Sequence, residues 1–336
     1  LKDFMLDTIE KFMKFIFIML KQRGMIKMKN KKKYFKIIQN IKIGLPIIII
    51  LSIFSCENGT NSIMIDGFEP IANQQLKKFL IESRNEKGRK IAVFDGDGTV
   101  LGQTPHYLAD ECMYQWANDR PEHKPDVINL LKSQSNVSLP YVQNRIRLIA
   151  GMTLQEYRDL GEDCFNKYYT NKIFKPMEEL IQILKEENFE VWIVTASPEG
   201  MYQQFLSKVF QIPITKIIGV KSVVRNGIIT DEIVHPVPQD HGKKEAIETF
   251  IQDIPLFVAG NSRGDKEMIE HSRGLKLIVN PDEHVAPDQK ESIADYAKNN
   301  NWLIVKVNDI PDPNFPLVSS SKYGKRLNKT RDYNQN

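Results

Sequence analysis

The stretch Ile91-Ala92-Val93-Phe94-Asp95-Gly96-Asp97-Gly98-Thr99-Val100 decides how this chain is read. Four apolar residues in a row predict a strand buried on both faces, as in a parallel sheet. The run then breaks into two carboxylates two positions apart, among glycines that let backbone amides turn toward whatever the carboxylates hold. Carboxylates gathered at a strand end are electrostatically unfavourable unless a cation or a transferred proton neutralises them. Asp95 and Asp97 therefore point to chemistry rather than stability, at a site for a metal and a phosphate.

Outward from this strand the pattern alternates. Leu76, Phe79 and Leu80 give Asn73 to Ser83 the spacing of an amphipathic helix, and Leu180, Ile181 and Leu184 do the same for Met177 to Glu187. Further short apolar strands are predicted at Glu190-Val191-Trp192-Ile193-Val194-Thr195, Leu256 to Gly260 and Leu275 to Val279. Strands alternating with helices from Ile71 to Val318 predict an α/β fold, a doubly wound parallel sheet large enough for a full core. Two insertions interrupt it. Val223 to Ile229 is a hairpin turning at Asn226-Gly227. Gly102 to Phe174 has no strand-like run and several helical ones, including Tyr107 to Trp116 and Leu154 to Tyr168, and is read as a helical cap. The expected division is a core of residues 70–101 and 175–311, a cap of residues 102–174 and a polar, disordered tail at 312–336.

Three further signals follow strands or open helices, where a doubly wound sheet binds its ligand. Thr195-Ala196-Ser197 offers a hydroxyl and backbone amides to a phosphate oxygen. Lys243 opens a helical stretch and can neutralise a carboxylate or an oxyanion. Gly260-Asn261-Ser262-Arg263-Gly264-Asp265 supplies oxygens suited to a hard cation. Taken singly each has a bland reading, as a cap, a surface charge or a turn.

In order and spacing, Asp95-Gly96-Asp97-Gly98-Thr99, Thr195, Lys243 and Asn261 to Asp265 resemble the four motifs of the haloacid dehalogenase superfamily of phosphohydrolases, over Ile91 to Pro281. The helical insertion and the hairpin resemble its phosphoserine phosphatase-like and phosphorylcholine phosphatase-like branch. The resemblance implies a Rossmannoid core with the cap inserted after the first strand. It implies Asp95 as a nucleophile forming an aspartyl-phosphate, and Asp97 as the acid for the leaving alcohol and then the base for water. Thr195, Ala196 and Lys243 would hold phosphoryl oxygens. Mg²⁺ would be held by Asp95, the Asp97 carbonyl and an oxygen of Asn261 or Asp265. Asn261 departs from the family, which has an acid there; its amide oxygen can ligate but brings no charge. Arg145-Ile146-Arg147-Leu148-Ile149-Ala150-Gly151 resembles the phosphoserine phosphatase stretch whose arginine, here Arg145, binds the substrate carboxylate. The glutamate that meets the substrate ammonium in those enzymes is here Thr104, so the amino-acid half of that specificity is not supported.

The cap is rich in aromatics, including Tyr107, Tyr114, Trp116, Tyr141, Tyr157, Tyr168 and Tyr169. Such rings can cage a quaternary ammonium, although at helical spacing most are core packing. Phosphocholine, phosphoethanolamine and phosphoserine all stay open as substrates. Other classes fit less well. A calcium-binding loop starting at Asp95 would need glycine and glutamate where Val100 and His106 stand. A Gly-x-Gly-x-x-Gly dinucleotide fingerprint is absent from the strand ends. A catalytically silent, ligand- or host-binding lipoprotein is the alternative, with Asn261 its best support.

The N-terminal region carries a different message. Seven lysines and no acid lie between Lys27 and Lys42, followed by the uncharged run Ile43 to Ser55 and then Cys56. That is the layout of an export signal, too short for an ordinary membrane span. Ile53-Phe54-Ser55-Cys56 resembles a bacterial lipobox with Cys56 lipidated, though Phe54 stands where a small residue is usual; an uncleaved anchor is the rival reading. Both place the remainder outside the cytoplasm, tethered to a bacterial membrane. Residues before Met25 or Met28 read as upstream of the start. Residues 1–55 hold twelve Lys and Arg against three Asp and Glu, so the remainder has 34 basic and 39 acidic residues, a net charge of −5. The whole-chain charge of +4 belongs to the targeting segment, and the remainder has no net positive field to attract a nucleic acid, which is not expected as a partner. Cys112 and Cys164 are the other two cysteines; one bridge is open to them in an oxidising compartment.

Overall fold

The computed structural model describes residues 64–104, 106–285 and 289–309. The expected export segment, Cys56 and the tail at 312–336 lie outside them. The strands are β1 (Ile91–Phe94), β2 (Glu190–Pro198), β3 (Ile217–Arg225), β4 (Ile228–Val234), β5 (Phe257–Gly260), β6 (Leu275–Val279) and β7 (Leu303–Val305). The α-helices among the described residues are α1 (Pro70–Ser83), α2 (Leu108–Asn118), α3 (Pro125–Ser133), α4 (Leu139–Ile149), α5 (Leu154–Cys164), α6 (Lys175–Glu186), α7 (Glu199–Phe210), α8 (His241–Ala246), α9 (Lys266–Glu270) and α10 (Ile293–Asn299).

The strands form one sheet of order β4-β3-β2-β1-β5-β6-β7, parallel throughout except for the β3–β4 hairpin. β1 is central because each of its four residues is apolar and fully buried. The period-two alternation of a strand sends its side chains to opposite faces. Ala92 and Phe94 join a cluster with Leu76 and Leu80 of α1 and Met177, Leu180, Ile181 and Leu184 of α6. Ile91 and Val93 join another with Ile247 and Ile251, Met268 and Ile269 of α9, and Ile293 and Ala297 of α10. The sheet is therefore covered on both faces, the α/β arrangement expected. Each fully buried leucine in such a layer contributes about 1.5–3 kcal/mol relative to an exposed one.

Two strands differ from expectation. The hairpin read as an insertion is half sheet: Ile217 and Ile218 pair in parallel with Ile193 and Val194 of β2 before the chain leaves to pair with β4. β7 escaped notice because only three residues, Leu303 to Val305, complete the edge beside β6. Asn226 and Gly227 take the positive φ of a two-residue turn, 51° and 79°.

Helices α2 to α5 lie between β1 and β2 in sequence. Local signals start each one: Pro125 and Pro140 sit in the first turns of α3 and α4, and Thr153 with Glu156 makes a capping box on α5. A disulfide joins Cys112 of α2 to Cys164 at the end of α5, with Cα atoms 5.9 Å apart. Main-chain bonds join this region to the hairpin: Gly151 N–H to Ile229 O (2.8 Å), Ile229 N–H to Met152 O (2.8 Å) and Leu154 N–H to Gly227 O (3.0 Å). At its other end Asp309 accepts from the amides of Gln103 (2.9 Å) and Thr104 (3.0 Å) and pairs with Lys172.

Candidate active site

β1 delivers Asp95 to the point where the central strands end, and the Asp95 amide donates to Ala259 O of β5 at 2.9 Å. Its carboxylate is held by Lys243 of α8, whose Nζ lies 2.5 Å from Asp95 Oδ1, and by the Thr99 hydroxyl at 3.3 Å from Oδ2. Lys243 also lies 2.5 Å from Asp265 Oδ1, so one ammonium bridges two buried carboxylates. Burial, with Asp265 next to it, pushes the Asp95 carboxyl up to about 7 against the pull of Lys243. Burial works against charge on Lys243 as well, but Asp265 and Asp95 outweigh it and hold the ammonium above its ordinary pKa.

Asp97 stands in different surroundings. Its Oδ2 accepts from the Ser197 hydroxyl at 2.7 Å, and the Tyr202 hydroxyl of α7 lies 2.8 and 2.9 Å from its two oxygens. Burial raises the Asp97 carboxyl, and the hydrogen bonds from Ser197 and Tyr202 oppose the rise. Two neighbouring carboxylates are thus separated by environment, one against an ammonium and one among hydroxyls, which is how one site gives two acids different tasks. Thr195, almost fully buried, packs against Gly96 and accepts from the Ser197 amide at 3.1 Å. Gly98 has a φ of 82°, and a Cβ there would strike Asn261.

The loop after β5 closes the floor. Asp265 is fully buried; its Oδ2 accepts from the amides of Asn261 (3.0 Å) and Ser262 (2.9 Å) and from the Ser262 hydroxyl (3.0 Å), while Oδ1 meets Lys243. Burial opposes its charge, yet Lys243 and these donors keep it below the usual carboxylate range. Asp265, expected as a metal ligand, also braces Lys243 and the loop. One end of the Asn261 amide lies 3.2 Å from three oxygens, Asp97 O, Asp95 Oδ2 and Asp265 Oδ2, and is assigned as the NH₂; its oxygen then accepts from Gln103 Nε2 at 3.2 Å. Three oxygens converging on one point are the donor chemistry of a hard cation, so Asp95, the Asp97 carbonyl and Asp265 fit Mg²⁺, with a turned Asn261 amide offering a further oxygen. Among the described residues no three His, Cys, Asp or Glu side chains group as a metal cluster, so such a site would be of mixed donors.

A cavity of about 290 Å³ opens over Asp95 and Asp97, with Tyr107, Asn136, Val142 and Arg145 on the cap side. Arg145, expected to receive a substrate carboxylate, is 4% exposed and already engaged: Nη1 with Asp110 Oδ1 at 3.2 Å and Nη2 with Ala196 O at 2.8 Å. Thr104 is buried and does not line the cavity; its amide is held by Asp309. Of the seven cap aromatics only Tyr107 reaches the lining, whereas Tyr114, Tyr141, Tyr157 and Tyr169 belong to the apolar core. Sequence reasoning missed Tyr202 and Asp110. Tyr202 lies 105 residues from Asp97, and no spacing signal joins them. Asp110 reads as an ordinary first-turn acid of α2.

Among curated proteins, the chain is similar to a hydrolase of Mycobacterium leprae, 25% identical over 142 residues, covering 41% of this chain and 46% of that protein. It is similar to the phosphoserine phosphatase SerB1 of Mycobacterium tuberculosis, 24% identical over 172 residues, covering 47% and 54%. The chain thus spans about half the length of these relatives. Among solved structures, a protein of unknown function from Anaerococcus prevotii shares the fold, with a TM-score of 0.56 at 14% identity over 74% of this chain and 97% of that one. The haloacid dehalogenase-like hydrolase family matches residues 92–270, more than half of the chain and the whole of the site floor, and the chain belongs to that family.

Proposed function

We propose that the protein is a Mg²⁺-dependent phosphomonoesterase acting on a small phosphate ester outside the cytoplasm. The observation that carries the reading is the pair of buried carboxylates held in unlike surroundings, Asp95 against Lys243 and Asp97 under Ser197 and Tyr202. In the first step Asp95 Oδ attacks phosphorus, the bond from phosphorus to the ester oxygen breaks, and Asp97 gives its proton to the leaving alcohol. In the second, Asp97 takes a proton from water, whose oxygen attacks phosphorus and releases phosphate from Asp95. Thr195, the Ala196 amide and Lys243 steady the phosphoryl oxygens. Mg²⁺, held by Asp95, the Asp97 carbonyl and an oxygen of Asn261 or Asp265, would supply positive charge against the repulsion between phosphate and nucleophile.

A 290 Å³ cavity suits a small ester. Phosphocholine, phosphoethanolamine and phosphoserine are the candidate substrates; the engagement of Arg145 by Asp110 weighs against phosphoserine. Export and tethering through Cys56 are supported by the basic and apolar segment ahead of it and by the Cys112–Cys164 disulfide, a bond that persists in oxidising compartments. Among the described residues no helix is long and apolar enough to cross a membrane.

The test is phosphate release from p-nitrophenyl phosphate by residues 57–336. Turnover that needs Mg²⁺, stops with EDTA and falls by at least about 10³ in Asp95→Asn supports the reading. A folded protein silent toward this ester and the three candidates overturns it in favour of a ligand-binding lipoprotein.

A further inference from the structure

We propose that Tyr202 is a positioning residue that aims Asp97 at the leaving group and ties that aim to the first cap helix; the proposal rests on the phosphatase reading above. Tyr202 is fully buried in α7. Its hydroxyl oxygen accepts from the Ala109 amide at 3.2 Å. An amide N–H can only donate, so the single hydroxyl hydrogen of Tyr202 is left for Asp97, whose oxygens lie at 2.8 and 2.9 Å. The chain of donors therefore runs one way, from amide to phenol to carboxyl.

The origin of that amide gives the contact its meaning. Ala109 is in the first turn of α2, where amides have no partner inside the helix, and Tyr107 at the cap position offers no side-chain bond. The orphan donor of a cap helix is answered by a core side chain, and the same side chain answers the acid. Ser197 secures Asp97 from the core alone. Throughout the reaction Tyr202 retains its proton; the one transferred to the leaving oxygen is Asp97's.

An acid matters in proportion to the leaving group's need for a proton. p-Nitrophenolate departs readily without one, whereas phenolate departs less readily, and the two esters differ little in shape. In Tyr202→Phe the ratio of kcat/KM for p-nitrophenyl phosphate to that for phenyl phosphate is expected to rise about tenfold, a share of the 10²–10⁴ that general acids supply. Because kcat/KM covers only the steps up to phosphoryl transfer, it isolates the acid role of Asp97 from its later role as base. Ser197→Ala, which leaves α2 untouched, is the second variant and is expected to raise the same ratio. A ratio unchanged in folded Tyr202→Phe, with both esters slowed equally or not at all, assigns the tyrosine to packing and overturns the proposal. So does a flat ratio in Ser197→Ala if Tyr202→Phe does not fold. Wild-type protein inert toward both aryl esters and toward the three candidate substrates would instead show that the phosphatase reading has failed, and the proposal with it.

Discussion

The floor of the cavity and the cap wall above it both bury charge, and they do so differently. On the floor, Lys243 is shared by Asp95 and Asp265, and each carboxylate has further donors from its own loop. On the wall, Arg145 meets Asp110 and one carbonyl, and its Nε has no hydrogen-bond partner. The floor residues follow β1 and β5, end β2 or sit on helices packed against them, so backbone ladders fix their spacing. The wall residues sit on two helices that meet through side chains. The floor side chains are thus fixed by ladders, whereas those of the wall facing the cavity are left where they can repack.

The contrast can be broken at the floor first. In Lys243→Met the phosphoryl oxygens lose a cation and two buried carboxylates lose their partner; turnover of p-nitrophenyl phosphate is expected to fall at least about 10³, read by steady-state kinetics. At the wall the order of effects reverses. Asp110→Asn leaves the Arg145 charge buried without its carboxylate, and is expected to cost about 3–5 kcal/mol in urea unfolding while lowering turnover less than Lys243→Met does. If Asp110→Asn proves the more damaging to turnover, the wall belongs to the catalytic apparatus and the distinction drawn above is wrong.

An exposed pair sharpens the comparison from outside. Arg89 donates to both oxygens of Glu190, at 2.8 and 2.9 Å, and this pairing lowers the Glu190 carboxyl to about 2. A carboxyl lowered in the folded state stabilises fully above its unfolded pKa near 4.5 and loses that contribution as pH falls toward 2. Glu190→Gln is therefore expected to cost less than about 1 kcal/mol at pH 7, shrinking to nothing near pH 2, by urea titration at several pH values.

The floor was legible because its residues sit at strand ends, where a run of apolar residues and an abrupt carboxylate leave a mark in one dimension. Asp95 and Asp97 follow β1, and Asn261 follows β5. What was illegible has no local mark. Tyr202 looks like any buried aromatic of an amphipathic helix until the fold brings it to Asp97, and nothing in the sequence joins Arg145 to Asp110 until α2 sets the two side by side. The first half of β3 was passed over because its apolar run merges into the hairpin that follows. The cap tyrosines read mostly as core, but helical spacing does not say which of them faces the ligand, and Tyr107 is the one that does.

The hairpin bonds at Gly151, Met152 and Leu154 bear on how a ligand comes and goes. They make the cap a continuation of the sheet's edge, in main-chain contact with β4 and the turn before it. Swinging that side outward would expose three backbone bonds at once, each worth about 0.5–1.5 kcal/mol net. Opening on that side therefore costs about 1.5–4.5 kcal/mol in all, which favours the closed arrangement and makes the hairpin edge the stiffer flank of the cavity.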